Sequence, residues 1–189
     1  MQRHLNPLGL YVKMIDLRQT FVLPAAIKLI NFIFLSDEEK KTVYEWRTHP
    51  DIKKWMRTDG PISYNGHLEF IERLKTDKEN FYWLVKNENR YIGVVYLNKI
   101  DLSEKSAYLG IYASPHLKGA GSLLMAGLKE LSFGLCGLDI LRLEVMELNI
   151  KAINFYEKSG FTRQGKVCGE ILKEGKRYSI IRMQIMNKE

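Results

Sequence analysis

A chain of 189 residues, 46% hydrophobic and 27% charged, is long enough for one domain with a sizeable core and too apolar to remain disordered. Its formal charge of +7 favours an anionic ligand, a class that spans CoA, nucleotide-sugars, nucleic acid and anionic membranes. The cysteines, Cys136 and Cys168, have no metal-ligand spacing, so the sequence predicts reduced thiols, a cytoplasmic location and no metal centre; no apolar run approaches the roughly 20 residues of a membrane-spanning helix.

In chain order, residues 1–25 carry neither a signal core nor a periodic pattern and are expected to be an extension of unclear role. Residues 26–189 are expected to form one domain, since no linker, repeat or low-complexity tract divides them. Residues 27–35 alternate as a first strand, and Ser36-Asp37-Glu38-Glu39 is a capping-box pattern opening a helix to about Thr48. His49-Pro50-Asp51 restarts the chain into a short helix, Ile52 to Trp55, and Ser63 to Leu74 forms the next. Strands Phe81–Lys86 and Arg90–Ile100 flank the tight turn Asn87-Glu88-Asn89. Strand Lys105–Tyr112, helix Gly119–Phe133, strand Ile140–Met146 and helix Asn149–Ser159 follow, then strands Phe161–Cys168 and Arg177–Met186.

Two stretches carry chemistry. Pro115-His116-Leu117-Lys118-Gly119-Ala120-Gly121-Ser122 joins a strand to a helix. Unpaired N–H groups at such a helix start, with the dipole behind them, attract negative charge, and glycines let a pyrophosphate approach the backbone. A ligand-free glycine turn is an equally ordinary reading of that stretch alone. The second stretch is Glu147 to Phe161, in which Asn149 caps a helix, Ala152, Ile153 and Tyr156 share a stripe, and Gly160 stops it.

The pairing of the glycine turn with Asn-x-x-Ala-x-x-Phe-Tyr-Glu-Lys-x-Gly-Phe resembles the GCN5-related N-acetyltransferase (GNAT) superfamily, over residues 27 to 187. The resemblance implies an α+β fold: a mixed, mostly antiparallel sheet of about seven strands, flanked by helices, with a V-shaped splay between the strands ending near Tyr112 and Met146. It implies acetyl-CoA as cofactor, its pyrophosphate on Leu117, Lys118, Gly119, Ala120, Gly121 and Ser122. Its pantetheine arm would run along Leu109, Ile111 and Tyr112, with Asn149, Ala152, Phe155, Tyr156 and Lys158 on the facing helix. Tyr156 would protonate the departing thiolate. His116 stands where the superfamily usually has Arg or Gln, and Lys118 supplies charge nearby.

Trp46 to Met56, His67-Leu68-Glu69-Phe70-Ile71, Tyr108 to Tyr112 and Leu143 to Glu147 are similar to the acetyltransferases of the pseudaminic-acid pathway. These acetylate the 4-amino group of UDP-4-amino-4,6-dideoxy-N-acetyl-β-L-altrosamine, a precursor of a sugar attached to bacterial flagellins. On that resemblance Arg47, with Lys53 or Arg57, would grip the diphosphate, and Trp55, Met56 and Phe70 would cover sugar and base, with His67, Tyr112 and Glu147 in the same region. Each has an ordinary alternative as a core or solvated side chain.

Several groups are candidates for the base: Glu144 and Glu147 on a strand and its end, His67 by its neutral-range titration, and Tyr96. Tyr96 departs from the pathway's small hydroxyl residue at that position. An amine of modest pKa needs no single base. Three classes of function stay open: a nucleotide-amino-sugar N-acetyltransferase, an acetyltransferase of a macromolecule such as a ribosomal protein N-terminus or an aminoacyl-tRNA, and a non-catalytic CoA-binding regulator. The leading class implies a small-molecule partner, no nucleic acid and no membrane, and leaves room for a homodimer. A basic chain offers a polyamine no obvious acidic cradle.

Overall fold

The computed structural model describes residues 4–5, 11–12, 15–58 and 60–187. Strands β1 (His4–Leu5) and β2 (Tyr11–Val12) form a small antiparallel pair. The main sheet has eight strands: β3 (Phe21–Leu23), β4 (Ile27–Asn31), β5 (Phe81–Asn87), β6 (Arg90–Asp101), β7 (Ser106–Ala113), β8 (Ile140–Met146), β9 (Thr162–Lys173) and β10 (Lys176–Met186). They lie in the order β3-β4-β5-β6-β7-β8-β10-β9. Every neighbouring pair is antiparallel except β7 and β8, whose parallel pairing requires the helical crossover between them.

Local chemistry sets the helices. Ser36 and Glu39 cap α1 (Asp37–Thr48) reciprocally, Glu39 N–H donating to Ser36 Oγ at 3.2 Å and Ser36 N–H to Glu39 Oε2 at 2.8 Å. His49 caps α2 (Pro50–Lys53), with Pro50 in its first turn, and Ser63 caps α3 (Tyr64–Leu74). After the glycine turn, α4 (Gly121–Lys129) runs on into a π-helical turn, Glu130–Leu135. Asn149 caps α5 (Ile150–Lys158), accepting from Ala152 N–H at 3.2 Å.

Alternation along the strands divides the core between two faces. Leu84 and Val94 pack with Val43, Trp46, Ile71 and Leu74 of α1 and α3. Their neighbours Val85 and Val95 pack on the opposite face with Leu124 and Leu128 of α4 and Ile153 of α5. A smaller cluster, Met146, Ile171 and Ile180, sits in the β8–β10–β9 arm. The fold is the one the resemblance implies, and its decisive detail lies at the sheet centre. β7 and β8 pair only at Ser106–Ile140, Ala107–Leu141 and Tyr108–Arg142, although they continue to Ala113 and Met146. Beyond Tyr108 the two strands part.

Several boundaries differ from expectation, three of them with a clear physical reason. β4 stops at Asn31, whose side chain accepts from Ile33 N–H at 3.1 Å and turns residues 32–34 into a 3₁₀ turn. β9 passes beyond Cys168 because Gly169, at φ +64°, is absorbed in a bulge opposite β10 rather than ending the strand. The division expected at residue 26 crosses a hairpin: β3 pairs with β4, and Leu17, Phe21 and Leu23 are buried in the main core. Asn31 Nδ2 donates to Leu17 carbonyl at 2.9 Å and Trp83 Nε1 to Gln19 carbonyl at 3.2 Å, so both buried polar groups depend on this segment.

Deleting residues 1–25 removes those three side chains, each worth roughly 1.5–3 kcal/mol of burial, and orphans Asn31 and Trp83. The expected result is a chain that is insoluble or melts at far lower urea; a truncated protein with the full-length midpoint would show that β3 is dispensable.

Candidate active site

The glycine turn builds a donor cluster. Gly119 lies at φ +82°, a conformation costly for a side chain, and Ala120 precedes α4 without any side-chain cap. The first N–H groups of α4 therefore remain available to a ligand, with the helix dipole behind them. At Gly121 an added Cβ would meet the Phe155 ring at 3.2 Å, so its absence lets α4 and α5 close on each other beside the turn.

From this turn a cleft of about 620 Å³ runs through the splay to the α2 side of the sheet. At the turn it is lined by Leu117, Lys118, Gly119, Ala120, Gly121 and Ser122. Its lining includes Leu109, Ile111 and Tyr112 of β7, Val145 and Met146 of β8, and Asn149, Ala152, Phe155 and Tyr156 at α5. Tyr96, Glu144, and Asp51, Ile52, Trp55 and Met56 in and after α2 complete it. Because the β7–β8 ladder ends at Tyr108, this edge of β7 presents unpaired backbone groups to the cleft, a template for an extended amide-bearing ligand.

Tyr156 projects from α5 at the waist of the cleft. It is buried between Phe155 and Phe161, with ring centroids at 5.5 and 5.7 Å. Burial pushes its phenol well above the ordinary tyrosine range, nearby Tyr96 adds to the effect, and no hydrogen bond from the described residues engages it. On the other face Tyr96 stacks on its cross-strand neighbour Tyr82 at 4.9 Å and lies flat across Gly110, where a Cβ would fall 1.9 Å from its Cζ. Burial holds the Tyr96 phenol up to about 12. Tyr112 is likewise raised by burial, although the Arg47 guanidinium opposes the shift. At neutral pH all three phenols are donors.

Glu144 reaches the cleft with both carboxylate oxygens engaged, one by Arg57 and the other by Arg182 Nε at 3.2 Å. A smaller depression of about 190 Å³ lies beside it, lined by Tyr108, Arg142, Arg182, Gln164 and Gln184 among others.

Other expected residues stand off the cleft. His67 is buried in α3 against Tyr44 and Tyr64, its Nε2–H donating to Lys40 carbonyl at 3.1 Å. Burial keeps it below the usual histidine range, so it ties α3 to α1 as a neutral ring. Phe70 packs edge-on against Tyr82 at 5.1 Å. Arg47 donates to Thr58 Oγ1 at 2.8 Å, and its Nη1 is buried without a partner among the described residues, beside the Tyr82–Tyr96–Tyr112 cluster. Glu147 is paired with Lys166 at 2.6 Å and Arg57 with Glu144 and Glu170, while Lys53 does not line the cleft.

Lys151, not Lys158, is the α5 lysine at the cleft. The two share nearly one helical face but stand two turns, about 10 Å, apart, and only Lys151 lies next to the turn. Trp55, expected to cover the acceptor, lines the cleft. Asp51, Ile52 and Met146 also line it, and no residue pattern marks them for it. The signal for the first two is Pro50 as a helix start, which fixes their direction.

The family described as the acetyltransferase (GNAT) family matches residues 40–161. Acetyltransferase PseH of Campylobacter jejuni subsp. jejuni serotype O:2 is 38% identical over 136 residues, covering 72% of this chain and 85% of that protein. The crystal structure of Campylobacter jejuni N-acetyltransferase PseH in complex with acetyl coenzyme A superposes with a TM-score of 0.67 at 28% identity, over 86% of this chain and 99% of that one. Vibrio cholerae spermidine N-acetyltransferase, in complex with CoA and spermine, shares the fold with a TM-score of 0.76 at 23% identity, over 85% and 95% of the chains.

Proposed function

This chain belongs to the GNAT family of acetyltransferases, and we propose that it transfers the acetyl group of acetyl-CoA to the 4-amino group of UDP-4-amino-4,6-dideoxy-N-acetyl-β-L-altrosamine, a step in pseudaminic acid biosynthesis. The observation that carries the reading is the continuous cleft, which joins the uncapped start of α4 to Tyr96 and Met56 through the β7–β8 splay. The 38% identity to a PseH protein supports the sugar acceptor.

The residues present fit such a cofactor. The free N–H groups of α4, with Lys118 and Lys151, take the pyrophosphate, and the open edge of β7 pairs with the pantetheine amides. When bound, acetyl-CoA supplies an acyl group activated as a thioester. The β7 backbone and the neutral phenols of Tyr96 and Tyr112 offer donors to the carbonyl oxygen where negative charge develops. Tyr156 would donate its proton to the departing sulfur and be restored by the proton that the nitrogen releases as the amide forms. Glu144, held between two guanidinium groups, orients the amine, which attacks as its free base. The acceptor's diphosphate falls to Arg142 and Arg182 in the adjoining depression rather than to Arg47 or Lys53. We place the reaction in the cytoplasm, which suits the two free cysteines.

The spermidine enzymes raise a second reading. Among the described residues lining the cleft the carboxylates are Asp51 and Glu144; Asp51 pairs with Lys54 at 2.7 Å and Glu144 with two arginines. A polycation meets no unpaired carboxylate there, which favours the sugar.

The deciding experiment is free-thiol release from acetyl-CoA with the UDP-amino sugar, spermidine or a basic peptide as acceptor. Release with the nucleotide-sugar alone is expected, and release only with spermidine or peptide would move the acceptor to that class. With the sugar, Arg142→Gln is expected to raise KM about tenfold with kcat little changed, the loss of one charge-assisted phosphate contact; an unchanged KM would remove Arg142 from the acceptor site.

A further inference from the structure

The segment that brings Trp55 and Met56 to the cleft is held from a distant part of the chain. α2 ends at Lys53, whose carbonyl accepts from Met56 N–H at 3.1 Å and keeps a second lone pair. Lys173, at the end of β9, directs its ammonium there: Nζ donates to the carbonyls of Lys53 at 2.8 Å, Lys54 at 2.9 Å and Met56 at 3.4 Å. Lys173 is only 7% exposed. A lysine is seldom buried to this extent unless its ammonium is satisfied, and here main-chain oxygens satisfy it.

The next side chain along the segment repeats the connection. Arg57 donates to Glu144 of β8 and, at 3.2 Å, to Glu170 of β9. The β8–β9–β10 arm thus grips residues 53–57 at two points, and between those points lie the side chains that wall the acceptor end. Trp55 is 37% exposed, whereas Trp46 and Trp83 are buried, and its neighbours Ile52 and Met56 pack on the core beside α1 and α3. The polar ties add to that packing at the exposed part of the segment.

We infer that Lys173 is a positioning residue for the acceptor: by fixing the main chain of residues 53–56 it sets the height of the Trp55–Met56 wall above the splay. Its influence is expected to fall on acceptor affinity, because Lys173 holds residues 53–56, whereas the part of α2 that neighbours the glycine turn is its start, where the His49 ring lies 6.1 Å from that of His116. The inference rests on the acetyl-transfer reading above for its kinetic consequence, and on geometry alone for its conformational one.

The test uses the full-length protein and Lys173→Met, which keeps the apolar stem and removes every donor. Tryptic cleavage of the folded protein after Lys53, Lys54 and Arg57, followed by mass spectrometry, reads the clamp without any acceptor. It is expected to accelerate at least tenfold. The KM for the UDP-amino sugar is expected to rise on the order of tenfold, since a modest misplacement of a positioning wall suffices, while the Kd for acetyl-CoA stays within twofold. Lys173→Arg, which retains a buried cation, is expected to restore both readouts to within about threefold of wild type.

Wild-type cleavage and KM in the methionine variant would overturn the proposal. So would parallel losses of acetyl-CoA and acceptor binding, which mark a general folding role. Should Lys173→Met fail to fold, Lys173→Gln, which keeps two donors on a shorter stem, is read in the same way. If the wild-type protein does not turn over the UDP-amino sugar, the acceptor assignment falls, and the cleavage arm still decides the clamp.

Discussion

Replacing Tyr156 with phenylalanine is expected to lower turnover by roughly two powers of ten, the usual contribution of a positioned general acid. The ring packs edge-on between Phe155 and Phe161 and phenylalanine keeps those contacts, so melting temperature and acetyl-CoA affinity should scarcely change. The pH dependence follows from the direction of the shift. Burial raises the phenol above its ordinary value of 10, so the proton needed by the leaving sulfur is present throughout the neutral range. Wild-type kcat/KM should therefore rise with pH as the acceptor amine loses its proton and show no fall from Tyr156 below pH 10. Steady-state thiol release across that range checks both points. A variant with turnover within twofold of wild type would remove Tyr156 from proton donation.

Gly119→Glu is expected to reduce acetyl-CoA affinity by two powers of ten or more. No atom lies within 4 Å of where the new Cβ would stand, so the chain can carry a side chain there without a clash, and the carboxylate would face the pyrophosphate site. Backbone strain contributes as well, because φ is +82°. Gly119→Ala separates the two causes. It carries the strain without the charge and should bind within about tenfold of wild type, the equivalent of roughly 1–2 kcal/mol. Titration calorimetry of both variants with acetyl-CoA distinguishes these outcomes; unperturbed binding by the glutamate variant would place the pyrophosphate elsewhere.

The parts of this fold that could be read from the sequence are those whose cause is local. Ser36 with Glu39, Ser63 and Asn149 each announce a helix start through a hydrogen bond a few residues long, and all three are made. The glycine turn and the face of α5 that bears Tyr156 are of the same kind. β3 was missed because a three-residue strand shows too little alternation to register, and only the sheet it joins reveals that Phe21 and Leu23 point inward. Gly169 reads locally as a breaker, yet the partner strand β10 carries the chain past it.

The same division applies to the site. Tyr96, Tyr112, Glu144 and Met56 reach the cleft because strand alternation and the α2 start fix their directions. Arg57, Glu147 and Lys173 could not be placed from residue type, since their partners are remote in sequence: Glu144, Lys166 and the carbonyls at the end of α2. His67 titrates near neutrality in water, and that property is what drew attention to it; burial between α1 and α3 removes it.

The contact of Tyr96 with Gly110 restricts how this enzyme can change over time. The phenol ring occupies the space in which any side chain at position 110 would have to grow, so the two positions behave as a lock with one order of opening. A smaller residue must first appear at 96; only then can 110 depart from glycine. A lineage that takes the reverse order passes through a molecule in which the buried Tyr96 ring has been pushed off its place against Tyr82.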